Sequence, residues 1–311
     1  MSILYHYTTA STLLGILDKC SVEKPYVTIW ATHASYLNDP TEYKLGKIVC
    51  QNIINEFEED LKIPDNERLL KNFLNETIQK SIELSDFFSS ATTIMEGGIP
   101  YIISLSRNRD SLPMWNTYTQ KGNSIAIGFD EQLLCEESAR FGKEKNSMLR
   151  KIYEIRECIY DTLESGFISI KNRYKEGYIE VLNNYKKQKN ATDGDYIKET
   201  LNRAKVYAFM ERLYKEIAPY IKDKVYEYEQ EVRCLVKNKD KIFFRESNGL
   251  IIPYVKVKIS LKCIKEIIIG PTMDANRTRD SLAMLLYNKG MIDILSDPER
   301  IIKISNAPYR G

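Results

Sequence analysis

The chain has 311 residues, of which 43% are hydrophobic and 28% charged, a composition typical of a globular protein with a sizeable core. Its net charge of +2 gives no overall field toward nucleic acid or membrane, although it leaves room for a local basic surface. No stretch approaches the ~18 apolar residues of a membrane span, and the N-terminus lacks the basic start and apolar run of a signal peptide. We therefore expect a cytoplasmic protein without a membrane partner.

The cysteines and histidines argue against a metal centre. There are six cysteines, none in a Cys-x-x-Cys pair, and two histidines, His6 and His33. A zinc site needs a denser set of ligands, so no metal is expected. The scattered cysteines fit reduced thiols in a reducing compartment.

The first part of the chain predicts two short strands and several helices. Strands are predicted at Ile3 to Thr8 and at Tyr26 to His33, where apolar and polar residues alternate. Between them, Ser11 is the predicted cap of a helix with one apolar face. Helical spacing follows over residues 43–60 and 66–91.

The later part predicts a strand-rich region interrupted by helices. Helices are predicted at 112–120 and 274–289, and a tyrosine-rich stretch at about 160–220 has mostly helical spacing. The predicted strands are 101–106, 124–129, 152–155, 225–236, 242–245, 251–259, 264–269 and 301–304. Strands and helices do not alternate strictly, which disfavours a doubly wound parallel sheet. We predict a single α+β domain over 1–311, with a mixed, mostly antiparallel sheet and a helical insertion at 131–220.

The first strand offers one chemically versatile side chain, His6. On a strand, Leu4, His6 and Thr8 share a face. An imidazole that faces a cleft can hydrogen-bond a ribose hydroxyl. The alternative is a half-buried histidine with a purely structural role.

The late strand predicted at 225–236 carries three carboxylates. Alternation would place Glu227, Glu229, Glu231 and Arg233 on one face, where the carboxylates repel one another unless a cation compensates. Arg233 can pair with one of them. The segment is therefore either a solvated strand face or the wall of a cleft, in which one carboxylate binds a ligand hydroxyl or stabilises a developing cation.

Between these strands lie further candidate ligand groups. Ser104 and Ser106 present hydroxyls on one strand face, and Trp115 and Tyr118 lie three apart on a helix. The two aromatic residues form either a ligand wall or part of the core. Cationic side chains near the central strands could meet a pyrophosphate or simply solubilise loops; these are Arg107, Arg109 and Lys121.

Seven short motifs, in this order, resemble the bacterial Domain of Unknown Function 2971 family. They span nearly the whole chain, and the stretch at about 135–220 carries none of them. The motifs are Leu4-Tyr5-His6-Tyr7-Thr8, Leu37-Asn38-Asp39-Pro40-Thr41-Glu42, Ile103-Ser104-Leu105-Ser106, Met114-Trp115-x-x-Tyr118, Ile127-Gly128-Phe129, Glu229-x-Glu231-x-Arg233 and Ile252-Pro253-Tyr254.

That pattern is in turn similar to ADP-ribosyltransferases, and the similarity implies a split sheet that binds NAD. It implies that His6 holds a ribose hydroxyl, that Glu231 is the catalytic glutamate, and that Glu229 orients the acceptor. The other residues implied to contact NAD are Tyr7, Thr8, Ser104, Ser106, Trp115 and Tyr118, with Tyr7, Trp115 or Tyr118 stacking on nicotinamide.

The resemblance implies an enzyme that cleaves the nicotinamide–ribose bond of NAD, as an ADP-ribosyltransferase or an NAD glycohydrolase. A toxin or phage-defence effector is the implied setting, with an acceptor that the sequence does not identify. The alternatives are a non-catalytic binding module and a metal-dependent nuclease that uses Asp39, Glu42 and Glu231. The enzyme hypothesis predicts that His6, Ser104 and Glu231 converge on one cleft, and that Glu231→Gln abolishes turnover without harming the fold.

Overall fold

The computed structural model describes residues 2–37, 42–68, 100–119, 124–144, 153–160, 165–189, 196–236, 241–247, 249–272, 274–291 and 298–308. The chain divides into two compact units. The first unit comprises Met1–Tyr36, Pro100–Cys158 and Val225–Gly311, and the second comprises Leu37–Ile99 and Ile159–Lys224. Residues 131–158 of the predicted insertion thus belong to the first unit. The single-domain organisation stays a prediction.

In the described part of the chain, strands and helices do not alternate regularly. The strands are β1 Ile3–Thr9, β2 Tyr26–His33, β3 Tyr101–Ser106, β4 Ser124–Asp130, β5 Tyr153–Glu157, β6 Glu231–Val236, β7 Ile242–Ser247, β8 Leu250–Ser260, β9 Ile264–Ile269 and β10 Ile302–Ile304. The helices are α1 Ala10–Leu17, α2 Glu42–Asp60, α3 Leu112–Tyr118, α4 Glu131–Glu144, α5 Ser165–Lys189, α6 Tyr196–Ile217, α7 Ala275–Asn288 and α8 Pro298–Ile301.

The first unit is built on one open sheet. Its order is β10-β9-β4-β1-β3-β2-β8-β7, and β6 joins it by pairing with β3 on one side and β5 on the other. The described strand pairs are antiparallel except for β9 with β10. The predicted α+β class with a mixed, mostly antiparallel sheet is confirmed.

One face of this sheet carries the main core, and we call it the core face. Alternate residues of the strands supply it, among them Leu4, Ile29, Ile127 and Val257. Helices α1 and α7 contribute apolar residues to the same core: Leu13, Ile16, Leu17, Leu282 and Leu286. Helix α1 is capped by the Thr9 hydroxyl, which accepts from the Thr12 amide, rather than by Ser11 as predicted.

The predicted strand at 225–236 is wrong in its first half. Lys224–Glu229 forms a 3-10 helix, and the strand begins only at Glu231. Between them, Gln230 has a φ of 42°, and its amide donates to the Glu227 carbonyl. This turn breaks the alternation, so Glu227 and Glu229 do not continue the strand face of Glu231 and Arg233. The predicted helix at 66–91 lies outside the described residues beyond Arg68.

The second unit is helical in its described part. Helices α2, α5 and α6 surround a core that includes Ile54, Phe57, Tyr178 and Leu213. Within this core the Tyr178 hydroxyl donates to the buried Glu58 carboxylate at 2.6 Å. None of the helices in the described part of the chain combines the length and the apolarity that a bilayer crossing requires.

Gly46 lies against Ala218 in the second unit, and we expect Gly46→Ala to be destabilising. A Cβ atom there would lie 2.6 Å from the Ala218 Cβ and 2.8 Å from the Ala218 carbonyl oxygen, and a backbone cannot yield easily. Overpacking of this kind costs about 1–3 kcal/mol. Gly15→Ala is the control, since its Cβ would meet nothing within 4 Å. In urea unfolding, the free energy of unfolding should fall for Gly46→Ala and rise by about 0.4–1 kcal/mol for Gly15→Ala. Equal effects of the two substitutions would contradict the close packing of Gly46 on Ala218.

Candidate functional site

Strands β1, β3 and β6 lie side by side, although they come from distant parts of the sequence. Tyr5 on β1 pairs with Ser106 on β3, and Ser106 pairs in turn with Glu231 on β6. Ser104 pairs with Arg233 in the same ladder. The sheet therefore brings the predicted residues of the first, central and late motifs into one region.

The middle of β3 is a point at which the sheet forks. Strand β6 covers one edge of β3 from Tyr101 to Ser106. The other edge pairs with β2 only at Tyr101 and Ile102, and with β1 only at Ser106. No ladder pairing of β1 or β2 is described for residues 103–105, so the two half-sheets diverge there. We call this region the fork.

His6 lies at the fork and contacts β3 through the main chain. Its Nδ1 atom is 3.1 Å from the Ser104 carbonyl oxygen. A carbonyl accepts, so Nδ1 carries the proton, and in a neutral imidazole Nε2 is then the acceptor. The imidazole thus takes the place that a neighbouring strand would have on this edge of β3.

The side chains at the fork separate onto the two faces of the sheet. Directly paired residues of antiparallel strands share a face, and alternate residues along a strand take opposite faces. Tyr5, Ser106 and Glu231 therefore share one face, which we call the site face. His6 and Thr8 alternate with Tyr5 and Tyr7 and share the core-face side with Leu4. The structure joins His6 to Ser104 by a main-chain contact but does not place His6 on the same face as Glu231.

Glu231 is held by a buried ion pair. Both its carboxylate oxygens accept from Arg233, from Nε and from Nη2 at 3.0 Å each, and Cys158 Sγ lies 3.6 Å from Oε2. Glu231 is 5% exposed and Arg233 2% exposed. The alternative of a solvated strand face is therefore wrong for Glu231 and Arg233.

Glu229 is the second buried carboxylate at the start of β6. Its Oε1 atom accepts from the Tyr118 hydroxyl at 2.8 Å, and its main-chain carbonyl accepts from the Ser106 hydroxyl at 2.6 Å. Helix α3 thus reaches Glu229 with Tyr118, and β3 reaches the same residue with Ser106. Three residues predicted separately from the sequence meet at this point.

Trp115 and Tyr7 form an aromatic layer on the site face. Their ring centroids are 4.6 Å apart in an edge-to-face arrangement, and both side chains are buried. The Tyr7 hydroxyl donates to the Asn108 carbonyl and accepts from the Ser111 amide. Burial of this phenol raises the pKa of Tyr7 to about 12. Of the two sequence alternatives for Trp115, the structure shows a packed position, in a cluster with Tyr7, Met114 and Ile268.

Asp110 anchors this layer through three hydrogen bonds, two of them to partners that no local sequence pattern indicates. Its carboxylate accepts from Trp115 Nε1 at 2.7 Å, from the Ser305 hydroxyl and from the Asn306 amide. The two C-terminal partners are distant in sequence, so no local pattern signals the bond. The sequence signal for the bond between Asp110 and Trp115 was their spacing: Asp110 lies just before α3 and Trp115 lies in its first turn.

Glu266, Tyr5 and Arg109 form a second polar group on the site face that the sequence did not reveal. The Glu266 carboxylate accepts from the Tyr5 hydroxyl at 2.7 Å and from Arg109 Nε and Nη2. Burial alone would raise the pKa of Glu266, but the bonds from Arg109 and Tyr5 lower it overall. Arg107 is likewise held by Glu131 and Glu157. Both arginines proposed from the sequence to meet a pyrophosphate therefore already bind carboxylates, and Lys121 lies outside the described residues.

No metal centre emerges from the described residues. The part of the chain that the structure describes contains no group of three or more His, Cys, Asp or Glu side chains able to hold an ion. Of the acids in the nuclease alternative, Asp39 lies outside the described residues and so does the side chain of Glu42.

The pKa of His6 predicts a pH dependence of stability. Burial lowers the pKa of His6 below its ordinary value, although the bond to Ser104 opposes this effect. The unfolded chain therefore binds the proton more readily, so stability falls as the pH drops through about 6.5, the ordinary histidine value. Urea unfolding between about pH 7.5 and pH 5.5 should show a smaller decline for His6→Gln than for the wild type. His33→Gln is the control. If His6→Gln leaves the change of unfolding free energy with pH as it is in the wild type, His6 is not the group responsible.

One of three comparisons with known proteins found a match, and it covers part of the chain. A search of curated proteins and a search of solved structures each found no match. Residues 114–234 match a family model described as Protein of unknown function (DUF2971). The match includes 135–220, so the prediction that this stretch carries no part of the resemblance is wrong. The segment from Met114 to Cys234, which contains the Trp115–Tyr118 and Glu229–Arg233 motifs, is thus a match to the DUF2971 family, as the motifs predicted.

Proposed function

We propose that the protein binds NAD at the fork and cleaves its nicotinamide–ribose bond, as an ADP-ribosyltransferase or an NAD glycohydrolase. One observation carries the proposal: two buried carboxylates, Glu229 and Glu231, stand at the start of β6 against Ser106, with Trp115 and Tyr7 in the adjoining aromatic layer. The four motifs implied to contact NAD thus lie on β1, β3, the start of β6 and helix α3.

The chemistry of the bond explains the role given to the carboxylates. Loss of nicotinamide builds positive charge on the ribose, and a preorganised carboxylate stabilises that charge in a site from which water is excluded. In the proposal Glu231, fixed by Arg233, supplies this charge. Glu229 binds a ribose or acceptor hydroxyl in place of the Tyr118 hydroxyl that it now accepts from. In the proposal His6 holds β3 in position through its bond to the Ser104 carbonyl, and it does not contact the ligand on the site face.

The proposed setting is the cytoplasm, where the protein would act as a toxin or phage-defence effector on an acceptor still to be identified. The support is the state of its thiols. All six cysteines are free, and five of them are buried. Free buried thiols persist in a reducing compartment.

A second candidate, a non-catalytic binding module on the same scaffold, is favoured by one observation. Both Glu231 oxygens already bind Arg233, and Glu229 is 1% exposed. Calorimetric titration of the chain with NAD, nicotinamide and ADP-ribose tests binding, and release of nicotinamide separates the candidates, because a non-catalytic module can bind NAD without cleaving it. The enzyme proposal predicts saturable binding of NAD that Trp115→Ala weakens, in a variant that circular dichroism shows to be folded. Absence of NAD binding by the folded protein would overturn the enzyme proposal and leave the module.

A further inference from the structure

Strands β2, β8 and β7 carry a row of aromatic rings on the side of the sheet away from the main core. Trp30 stacks on Tyr254 with ring centroids 4.6 Å apart and an interplanar angle of 28°. Tyr254 stacks in turn on Phe243, at 5.7 Å and 27°. The opposite side of the same strands supplies the core residues Val27, Ile29, Val255 and Val257. The aromatic row is therefore additional to the core and not part of it.

Cationic side chains line this row. Lys256 Nζ lies 4.4 Å and Lys241 Nζ 5.3 Å from the Phe243 ring centroid, while Lys258 Nζ lies 4.5 Å from that of Tyr26. Arg245, paired with Ile252, points to the same side and bonds the Thr32 hydroxyl. We call these residues together the basic aromatic face: Tyr26, Trp30, Lys241, Phe243, Arg245, Tyr254, Lys256 and Lys258.

The basic aromatic face has no opposing charge within its own strands. The ladder register places the even-numbered residues of β2 and β8 and the odd-numbered residues of β7 on this side. None of these described strand residues is acidic; the β7 carboxylate, Glu246, alternates to the other side. The cations therefore stand beside exposed rings without a neighbouring strand carboxylate, in a protein whose net charge is only +2.

Trp30 is the open end of the row. It is 38% exposed, whereas Tyr254 in the middle is 6% exposed. An exposed tryptophan backed by a buried tyrosine is a rigid, flat surface. Such a surface suits a planar ring that stacks on it, because little side-chain freedom is lost on binding.

We infer that the basic aromatic face binds a single-stranded polynucleotide, with bases stacking on Trp30 and its row and phosphates meeting Lys241, Lys256 and Lys258. Aromatic platforms flanked by cations are how proteins hold single strands without reading sequence. An anionic membrane is less suited, because its insertion requires projecting apolar side chains and these rings lie stacked across the strands. The inference does not rest on the proposed NAD chemistry. It does place the polynucleotide on the same side of the sheet as Ser104 and Ser106, since Thr32 pairs with Ile102.

The test is fluorescence anisotropy with labelled oligouridylate and oligodeoxythymidylate of about 12 nucleotides, a length within the range of single-strand sites. We expect the wild type to bind at least one probe, with affinity that falls as salt rises. Trp30→Ala should weaken binding by about 10-fold to 100-fold, the usual effect of removing a stacking ring. Lys256→Glu should weaken binding and flatten the salt dependence, and since this lysine is exposed we expect the variant to fold.

Two control variants lie on elements that pack on the core face. Tyr287→Ala removes an exposed ring from α7, and Lys19→Glu reverses an exposed charge just after α1. Neither should change binding by more than about 2-fold, as expected for surface groups outside the site. No binding of either probe by the wild type would overturn the inference. Equal losses in the control variants, or binding to anionic vesicles that the oligonucleotides do not compete for, would overturn it as well.

Discussion

Glu231→Gln should destabilise the first unit by about 3–5 kcal/mol, because it takes a bound carboxylate charge away from the buried Arg233 guanidinium. Both Glu231 oxygens bind Arg233, and the two side chains are 5% and 3% exposed. An amide accepts at one oxygen only and carries no charge. Urea unfolding followed by circular dichroism should show the loss as a lowered midpoint.

The double variant Glu231→Met with Arg233→Met is the control. Replacing both members of a buried ion pair with apolar side chains of similar volume is often neutral or even stabilising. The double variant should therefore recover most of the stability that Glu231→Gln loses. A double variant as unstable as the single one, or a single variant as stable as the wild type, would show that the ion pair does not have this role.

This expectation changes how catalysis can be tested. The sequence alone predicted that Glu231→Gln would abolish turnover and spare the fold. The buried pair makes that variant ambiguous, because lost activity would also follow from lost stability. Glu229 is the better probe, since its Oε1 accepts from the neutral Tyr118 hydroxyl, a bond that a glutamine oxygen can also accept.

Glu229→Gln should lower the rate of nicotinamide release by about 10²-fold to 10³-fold, the range for loss of one catalytic proton-transfer or electrostatic group. The physical reason is the loss of a carboxylate that holds a ribose or acceptor hydroxyl. Chromatographic separation of nicotinamide from NAD measures the rate, and circular dichroism checks that the variant is folded.

Tyr118→Phe is the matched comparison for Glu229→Gln. It removes the hydroxyl that now donates to Oε1 and leaves the carboxylate in place. Turnover should therefore be retained or increased, and NAD should bind at least as tightly as to the wild type. If Glu229→Gln turns NAD over as fast as the wild type, Glu229 has no part in the reaction.

Much of the sheet was predictable because alternation is a local property. The strands at Tyr26–His33 and Tyr101–Ser106 follow their predicted bounds, and Gly290, with a φ of 66°, lies just beyond α7, where a glycine is favoured. The turn at Gln230 was missed because the residues before it alternate as a strand does. Only the positive φ and the bond to Glu227 distinguish them.

The candidate site was predictable by residue type but not by face or partner. The i, i+2 spacing of Glu231 and Arg233 indicated a pair, yet the burial of both side chains depends on tertiary packing that local spacing does not encode. Glu266 meets Tyr5 only through the β1–β4–β9 register, which a single sequence does not encode locally. The same register puts His6 and Glu231 on opposite sides of the sheet, which the motifs did not indicate.

The most direct test of the central proposal is incubation of the purified full chain with NAD and measurement of free nicotinamide over time. The proposal predicts time-dependent release by the wild type, with ADP-ribose either free or transferred to an acceptor, and loss of that release in folded Glu229→Gln. No nicotinamide release by the folded wild type, without or with added protein and nucleic acid as acceptors, would contradict it.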